Sequence, residues 1–214
     1  MKRHFTKEQV QDLPKYDMVN LVNGITGYKS ANLIGTKGES GTNLAVFNSV
    51  THLGSSPALI TFTLRPHTVE RHTYENILKF KFFTINHINA TIIKQAHQTA
   101  ARFDREESEF EGVGLNEEYL NDFYAPYVKE SEIKLGCKYV NSYEIKENGC
   151  LLVVAAVEDF HFNDEFVNDD YWIDLEKANT VAISGLDTYA LPKILDRFAY
   201  AKKDQQVESI INKG

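Results

Sequence analysis

Apolar and polar positions divide the chain into short strands with helices set between them. Ala58-Leu59-Ile60-Thr61-Phe62-Thr63-Leu64, opened by Pro57, is a β-branched and aromatic run that predicts a core strand. After Pro66 the period changes. Val69, Thr73, Ile77 and Phe80 fall on one face at helical spacing and predict a helix over 68–80, with Thr68 as its N-cap. Phe82-Phe83-Thr84-Ile85-Asn86 returns to strand, and a stripe of Ile92, Ile93, Ala96, Ala100 and Phe103 predicts a second helix over 90–103.

The same reading gives one bent strand or two strands over 19–26 and 30–36, with Gly24 and Gly27 at the kink. Gly38-Glu39-Ser40-Gly41 is a turn, and 43–52 is the next strand. Residues 1–17 are a lead-in with a short helix at best, and a short helix is expected at 116–123. Two long strands, 134–146 and 150–162, meet at a hairpin whose central residues are Asn148-Gly149. A last strand at 180–184 and a terminal helix at 191–199 complete the pattern. Many strands without regular βαβ alternation predict an antiparallel barrel with helical insertions, not a doubly wound sheet.

Composition narrows the class. At 214 residues with 43% hydrophobic content, the expectation is one domain with one sizeable core. No stretch approaches the roughly 20 apolar residues of a membrane span. The opening Met-Lys-Arg-His-Phe-Thr-Lys-Glu lacks an apolar signal core, which predicts a cytoplasmic protein. A net charge of −7 argues against nucleic acid or an anionic membrane as partner. Within this acidic chain, Arg65, His67, Arg71 and His72 form a local cationic patch. Cys137 and Cys150 lie too far apart along the predicted hairpin to pair, so both are expected as free thiols.

Two segments carry candidate chemistry. Arg65-Pro66-His67-Thr68-Val69-Glu70-Arg71-His72-Thr73 runs from a strand end into the start of a helix, where unpaired N–H groups favour an anion. Arginine adds bidentate donors and threonine a hydroxyl, which suits a phosphate. The bland reading is a solvated helix face with Arg71 paired to Glu75 at i, i+4. Asn43-Leu44-Ala45-Val46-Phe47-Asn48-Ser49 sets amides and a hydroxyl into an apolar strand, where asparagine is depleted. Buried amides need partners, and the edge of a flat heterocycle supplies them. Otherwise Asn43 and Asn48 cap turns or face solvent. Together the two segments suit a phosphorylated aromatic cofactor.

Other motifs fall away. Gly35-Thr36-Lys37-Gly38-Glu39-Ser40-Gly41-Thr42 lacks the ending of a phosphate loop and leads into strand, so it reads as a hairpin loop. There is no G-x-G-x-x-G, no Gly-x-Ser-x-Gly and no zinc spacing among the histidines, so no metal is expected. His87 and His97 read as satisfied structural histidines.

The order of residues resembles the flavin reductase-like family. Gly27-Tyr28-Lys29-Ser30-Ala31-Asn32-Leu33-Ile34-Gly35-Thr36 resembles its Gly-Pro-Arg-Pro-Val-Ala-Leu-Val-Thr-Thr strand, and Asn43–Ser49 its Asn-Leu-Ala-Pro-Phe-Ser segment. Arg71-His72-Thr73 with Asn76-Ile77 is similar to Lys-Asp-Thr…Asn-Ile, and Phe83-Thr84-Ile85-Asn86 to Phe-Val-Val-Asn. Glu109-Phe110-Glu111 before Gly114-Leu115 also fits, so the likeness runs from about residue 25 to 160. Val46, Asn48, His72 and the pair Lys29-Ser30 depart from the family pattern without removing hydrogen-bonding capacity.

The resemblance implies a split antiparallel β-barrel that dimerises and holds flavin near the dimer interface. It implies FMN ahead of FAD, with NADH or NADPH as co-substrate, in an oxidoreductase that moves a hydride to flavin. The alternative is an FMN-binding carrier or electron-transfer protein without reductase turnover. Candidate ring contacts are Asn43, Leu44, Ala45, Asn48 and Ser49, and candidate phosphate contacts are Arg65, Arg71, His72 and Thr73. Lys29, Ser30 and Asn32 are added from the strand resembling the Arg-Pro segment. On this reading 1–214 is a single flavin reductase-like domain, with 187–214 as a C-terminal extension.

Overall fold

The computed structural model describes residues 1–66 and 68–211. Its body is a seven-stranded sheet in the order β3-β2-β6-β9-β10-β5-β4, antiparallel at every pairing. The strands are β2 (Asn32–Lys37), β3 (Thr42–Phe47), β4 (Thr51–Ser55), β5 (Ala58–Leu64), β6 (Phe82–His87), β9 (Lys134–Ile145) and β10 (Cys150–His161). A smaller sheet, β1-β11-β12, joins β1 (Tyr28–Ser30) to the hairpin of β11 (Ala182–Ser184) and β12 (Thr188–Ala190). The short pair β7 (Glu117–Glu118) and β8 (Tyr127–Val128) forms its own ladder and packs against β6, with Val128 N–H donating to Asn86 Oδ1 at 2.9 Å.

The edge strands β3 and β4 are consecutive in the chain, joined by residues 48–50. The sheet therefore curls until its two edges come from one continuous stretch. At that joint Ser49 Oγ accepts the N–H of Thr63 at 3.1 Å and donates to its C=O at 3.0 Å. Past this clasp β3 leaves β5 and pairs with β2, from Asn32↔Phe47 to Lys37↔Thr42. The result is a split barrel with its opening between β3 and the end of β5.

Strand alternation divides the core into two layers. Ile34, Ile60, Phe62, Leu64, Phe83, Ile85, Cys137, Val153 and Ala155 form the inner cluster. Phe62 packs edge-on against Phe47 and Phe83, with ring centroids 5.3 and 5.7 Å away. Ala31, just before β2, and the intervening strand residues Leu33 and Leu44 belong to an outer cluster under α4 (Ile93–Gln98) and α5 (Glu109–Val113). Helix α3 (His72–Phe80) buries Thr73, Tyr74 and Ile77 and packs on β2 and β3.

Several elements depart from the sequence expectation. Residues 19–26 are not strand but part of α2 (Lys15–Ile25), which follows α1 (Lys7–Gln11). Met18, Leu21, Val22 and Ile25 repeat at i, i+3, i+4 and i+7, a helical period. The predicted strand 43–52 breaks at 48–50, and α3 begins at His72 with Arg71, not Thr68, at its N-cap. The helix over 90–103 shrinks to α4, and the short helix sits at 109–113. In 116–123, Asn121 and Asp122 take positive φ, which breaks a helix.

The β9–β10 hairpin has a four-residue loop, because Ile145 rather than Glu147 faces Cys150 and only Gly149 is left-handed there. Residues 191–199 are not helical and carry no regular structure beyond a Phe198↔Ser209 bridge, and Leu195 is left 90% exposed. Cys137 and Cys150 are free thiols, and Cys137 is fully buried. Among the described residues no helix is long and apolar enough to cross a membrane.

Candidate functional site

Around the barrel opening lie Arg65, Arg71, Asn48 and Ser49, a minority of the residues singled out in the sequence. On one side stands the start of α3. Arg71 at its N-cap gives its backbone N–H to Glu75 Oε1 at 3.1 Å, while the N–H groups of His72 and Thr73 have no acceptor within the helix. The Arg71 guanidinium makes one long contact, Nη2 to the Pro66 carbonyl at 3.4 Å, and its Nε is enclosed without a partner. Arg65 is exposed at the end of β5. His67, the fourth member of the expected cationic patch, lies outside the described residues.

Glu75 does not pair with the Arg71 side chain, as the solvated-face reading expected. Its Oε2 takes an ion pair from Arg105. Burial pushes the Glu75 carboxyl up, but the Arg105 and Arg71 N–H hydrogen bonds, with the charges of Arg105 and His72, hold it below the usual range. The first turn of α3 therefore keeps its arginine uncommitted. His72 points to a separate cavity of about 200 Å³, shared with Asn76, Lys79 and Arg105.

Two expected ligand contacts are spoken for inside the protein. Asn43 Nδ2 donates to both Glu109 oxygens, at 2.7 and 2.8 Å. Its Oδ1 accepts the Thr73 hydroxyl at 2.7 Å and the Thr36 hydroxyl at 3.3 Å. The amide is thus a strut binding β3 to α3, β2 and α5, with donors and acceptor in use. Thr73 is buried and gives its hydroxyl proton to the same strut, so that proton is not aimed at an anion.

The end of β3 is different. Leu44 is buried in the outer core, and its N–H, on the free edge of the strand, goes to Glu109 Oε2 at 2.9 Å. By the period of the strand, the backbone of Val46 faces the same edge. Ala45 is half-buried on the alternate face. Asn48 Nδ2 donates to the Gly185 carbonyl at 3.0 Å, and its Oδ1 has no partner among the described residues. Ser49 clasps Thr63, and Arg65 stands two residues, roughly 7 Å, further along β5. One ligand can therefore span the two groups.

Lys29, Ser30 and Asn32 lie beside this locus, on another wall. Ser30 Oγ donates to the Val50 carbonyl at 2.7 Å and accepts Asn32 Nδ2 at 3.0 Å. Lys29 Nζ donates to the Asn23 carbonyl at 2.8 Å. All three line a cavity of about 400 Å³ that also takes in His87 and Trp172. His97 has the expected partner, Tyr189 OH at 3.2 Å, but His87 Nδ1 is enclosed with none. Burial pushes the His87 imidazole down to about 4 and keeps it neutral.

Sequence reasoning missed two residues here. Glu109 organises Asn43 and Leu44; the sequence marked it only within the Glu109-Phe110-Glu111 run of the family likeness, with no role attached. Trp172, the single tryptophan, stood in a polar segment with no periodic pattern to mark it as a wall.

Comparison with known proteins places this geometry. The sequence profile of the flavin reductase like domain matches residues 29–179. A solved structure from Shewanella frigidimarina NCIMB 400, provisionally named a flavin reductase with split barrel domain, is 46% identical with a TM-score of 0.90. The match covers 94% of this chain and all of that one. An uncharacterised protein of Aquifex aeolicus (strain VF5) is 27% identical over 134 residues, 60% of this chain and 68% of that protein. Nitrilotriacetate monooxygenase component B from Bacillus cereus shares the fold, with a TM-score of 0.80 at 19% identity over 92% of this chain and 98% of its own. On the profile match and the Shewanella likeness together, the chain belongs to the flavin reductase like domain family.

Proposed function

We propose that this protein is an FMN-dependent oxidoreductase that accepts a hydride from NADH or NADPH. Bound flavin would supply the two-electron chemistry, taking up hydride at N5 and passing the electrons on. The observation that carries the reading is the Arg71 guanidinium, nearly unpartnered and with its Nε enclosed, at the start of a helix whose dipole favours an anion. A phosphate satisfies both. Arg65 adds charge, and His72 serves the same end only from the flank. Asn48 Oδ1 and the Val46 backbone edge would meet the polar edge of the ring, with the half-buried Ala45 as an apolar neighbour, while Ser49 is spent on Thr63 and Leu44 on the outer core. FMN is favoured over FAD because the cationic cluster accounts for a single terminal phosphate.

The chain's own residues position and shelter. Hydride transfer needs no dedicated general acid, so the lack of a triad is no objection. The assembly is proposed as a homodimer of the 24.4 kDa chain. Helices α1 and α2 bury no residue, though Ile25 and Tyr16 are each 78% exposed, and a second copy would cover them. Two free thiols suit the reducing cytoplasm proposed as its location.

Two measurements test the reading. Arg71→Ala is expected to weaken FMN about tenfold or more and riboflavin little, since a charged hydrogen bond contributes about 1.5–3 kcal/mol. Equal losses place the phosphate elsewhere. Anaerobic bleaching of bound flavin by NADH or NADPH separates a reductase from a carrier, which stays yellow.

A further inference from the structure

The 400 Å³ cavity beside the barrel opening is built for a ligand of its own. Its size lies within the roughly 300–1,000 Å³ range of small-molecule sites. The walls are apolar and partly aromatic, with Trp172, Ile173, Val181 and Ile194 among them. Residues 192–194 of the C-terminal extension form its roof. That strap is fastened to the cavity wall, by the Ile194 N–H to Glu176 Oε2 at 2.8 Å and by Arg197 lying 4.8 Å over the Trp172 ring. Arg197 also pairs with Asp170.

Charge on the wall is uneven. Lys29 and Lys193 bring two cations against the single carboxylate of Glu176, in a chain whose net charge is −7. Lys29 Nζ is held by one carbonyl and has two further protons to give. Glu176 is occupied by the backbone of the strap. His87 is neutral, with Nδ1 enclosed and unpartnered. Its Nε2 also lacks a partner among the described residues, so the imidazole can give one hydrogen bond without adding charge.

We infer that this cavity binds a small planar aromatic carboxylate, with its ring on Trp172 and Ile194 and its carboxylate between Lys29 and Lys193. The site is distinct from the one proposed for flavin phosphate, and it adjoins that site through the Ser30–Val50 hydrogen bond. A second ligand could thus sit beside the first.

Sodium benzoate is the probe, titrated by calorimetry into the full chain with and without saturating FMN. Because Trp172 is the only tryptophan, its fluorescence in the flavin-free protein reports occupancy of this cavity directly. Saturable one-to-one binding is expected, with benzyl alcohol and acetate at least tenfold weaker. Lys29→Met and Lys193→Met should each weaken benzoate several-fold. Ile194→Trp, on the half-exposed strap, should fill the cavity and abolish binding while the melting temperature holds. Absence of saturable binding overturns the inference, as does binding indifferent to Ile194→Trp. Competition between benzoate and FMN also overturns it, because the cavity would then be the flavin's. Failure of FMN to bind would sink the flavin reading alone and leave the benzoate titration intact.

Discussion

Asn43 and Glu109, 66 residues apart, are joined by two hydrogen bonds from one amide nitrogen, at 2.7 and 2.8 Å. The same carboxylate takes the Leu44 N–H, so one side chain closes the exposed edge of β3 and fixes the strut that carries α3. Glu109→Leu would leave an amide and a backbone N–H unpaired in a buried place. At about 1–3 kcal/mol for each, stability in urea should fall by about 2–5 kcal/mol. Glu109→Gln keeps one acceptor and should lose less. A leucine variant as stable as the parent would show that water satisfies both groups.

Thr73 and Arg71 sit two residues apart and should fail in different ways. Thr73→Val removes the hydroxyl bond to Asn43, so it should lower stability by about 1 kcal/mol and weaken FMN and riboflavin alike. Arg71→Ala should leave the melting temperature close to the parent and change the FMN-to-riboflavin affinity ratio. Measuring both ligands on both variants decides whether the threonine is a strut or a phosphate ligand.

What the sequence made legible follows from which signals are local. The core strand Ala58–Leu64 and the pair β9–β10 were visible because alternation and β-branching act within a few residues. The run 191–199 reads as a helix by its Leu191, Leu195 and Phe198 spacing. It is not helical, because no surface receives that stripe and Glu176 captures the Ile194 N–H. The site divided in the same way. Arg71 and Asn48 were singled out by residue type, but the commitment of Asn43 and Thr73 to each other depends on a carboxylate 66 positions along the chain. No local pattern encodes that.

Gly35 marks a close approach that only its lack of a side chain permits. A methyl group there would lie 2.4 Å from the Pro126 carbonyl oxygen and 2.6 Å from Thr84 Oγ1. Thr84 is itself bonded to that carbonyl at 2.6 Å, so neither atom can yield cheaply. Gly35→Ala should lower stability by about 1–3 kcal/mol, the usual range for overpacking, as read from chemical unfolding. An unchanged midpoint would mean that the 125–128 segment moves aside.

His87 should give stability a pH dependence of known sign. Burial pushes its folded pKa down to about 4 from the ordinary 6.5, so the unfolded chain binds more protons between those values. Stability is then complete above about pH 6.5 and is lost as pH falls toward 4, at no more than about 1.4 kcal/mol per unit. The charged groups on the same cavity wall are Lys29, Lys193 and Glu176. His87→Leu should flatten the slope between pH 7 and 5 in urea melts. A slope that survives the substitution belongs to another group.

Asn48 links the two halves of the proposed site, because its donor is tied to Gly185 while its acceptor is free. In the bland reading it merely anchors the β11–β12 turn. Asn48→Leu would then speed amide exchange in 182–190 and leave bound flavin unaltered. If Oδ1 meets the flavin edge, the same substitution removes a polar contact that tunes the ring, and the midpoint potential must move along with affinity. The expected outcome is an FMN affinity lowered about tenfold, the equivalent of one hydrogen bond of about 1.4 kcal/mol, and a shifted potential. Faster exchange with an unmoved potential would assign Asn48 to the hairpin and return the ring to the Val46 backbone edge alone.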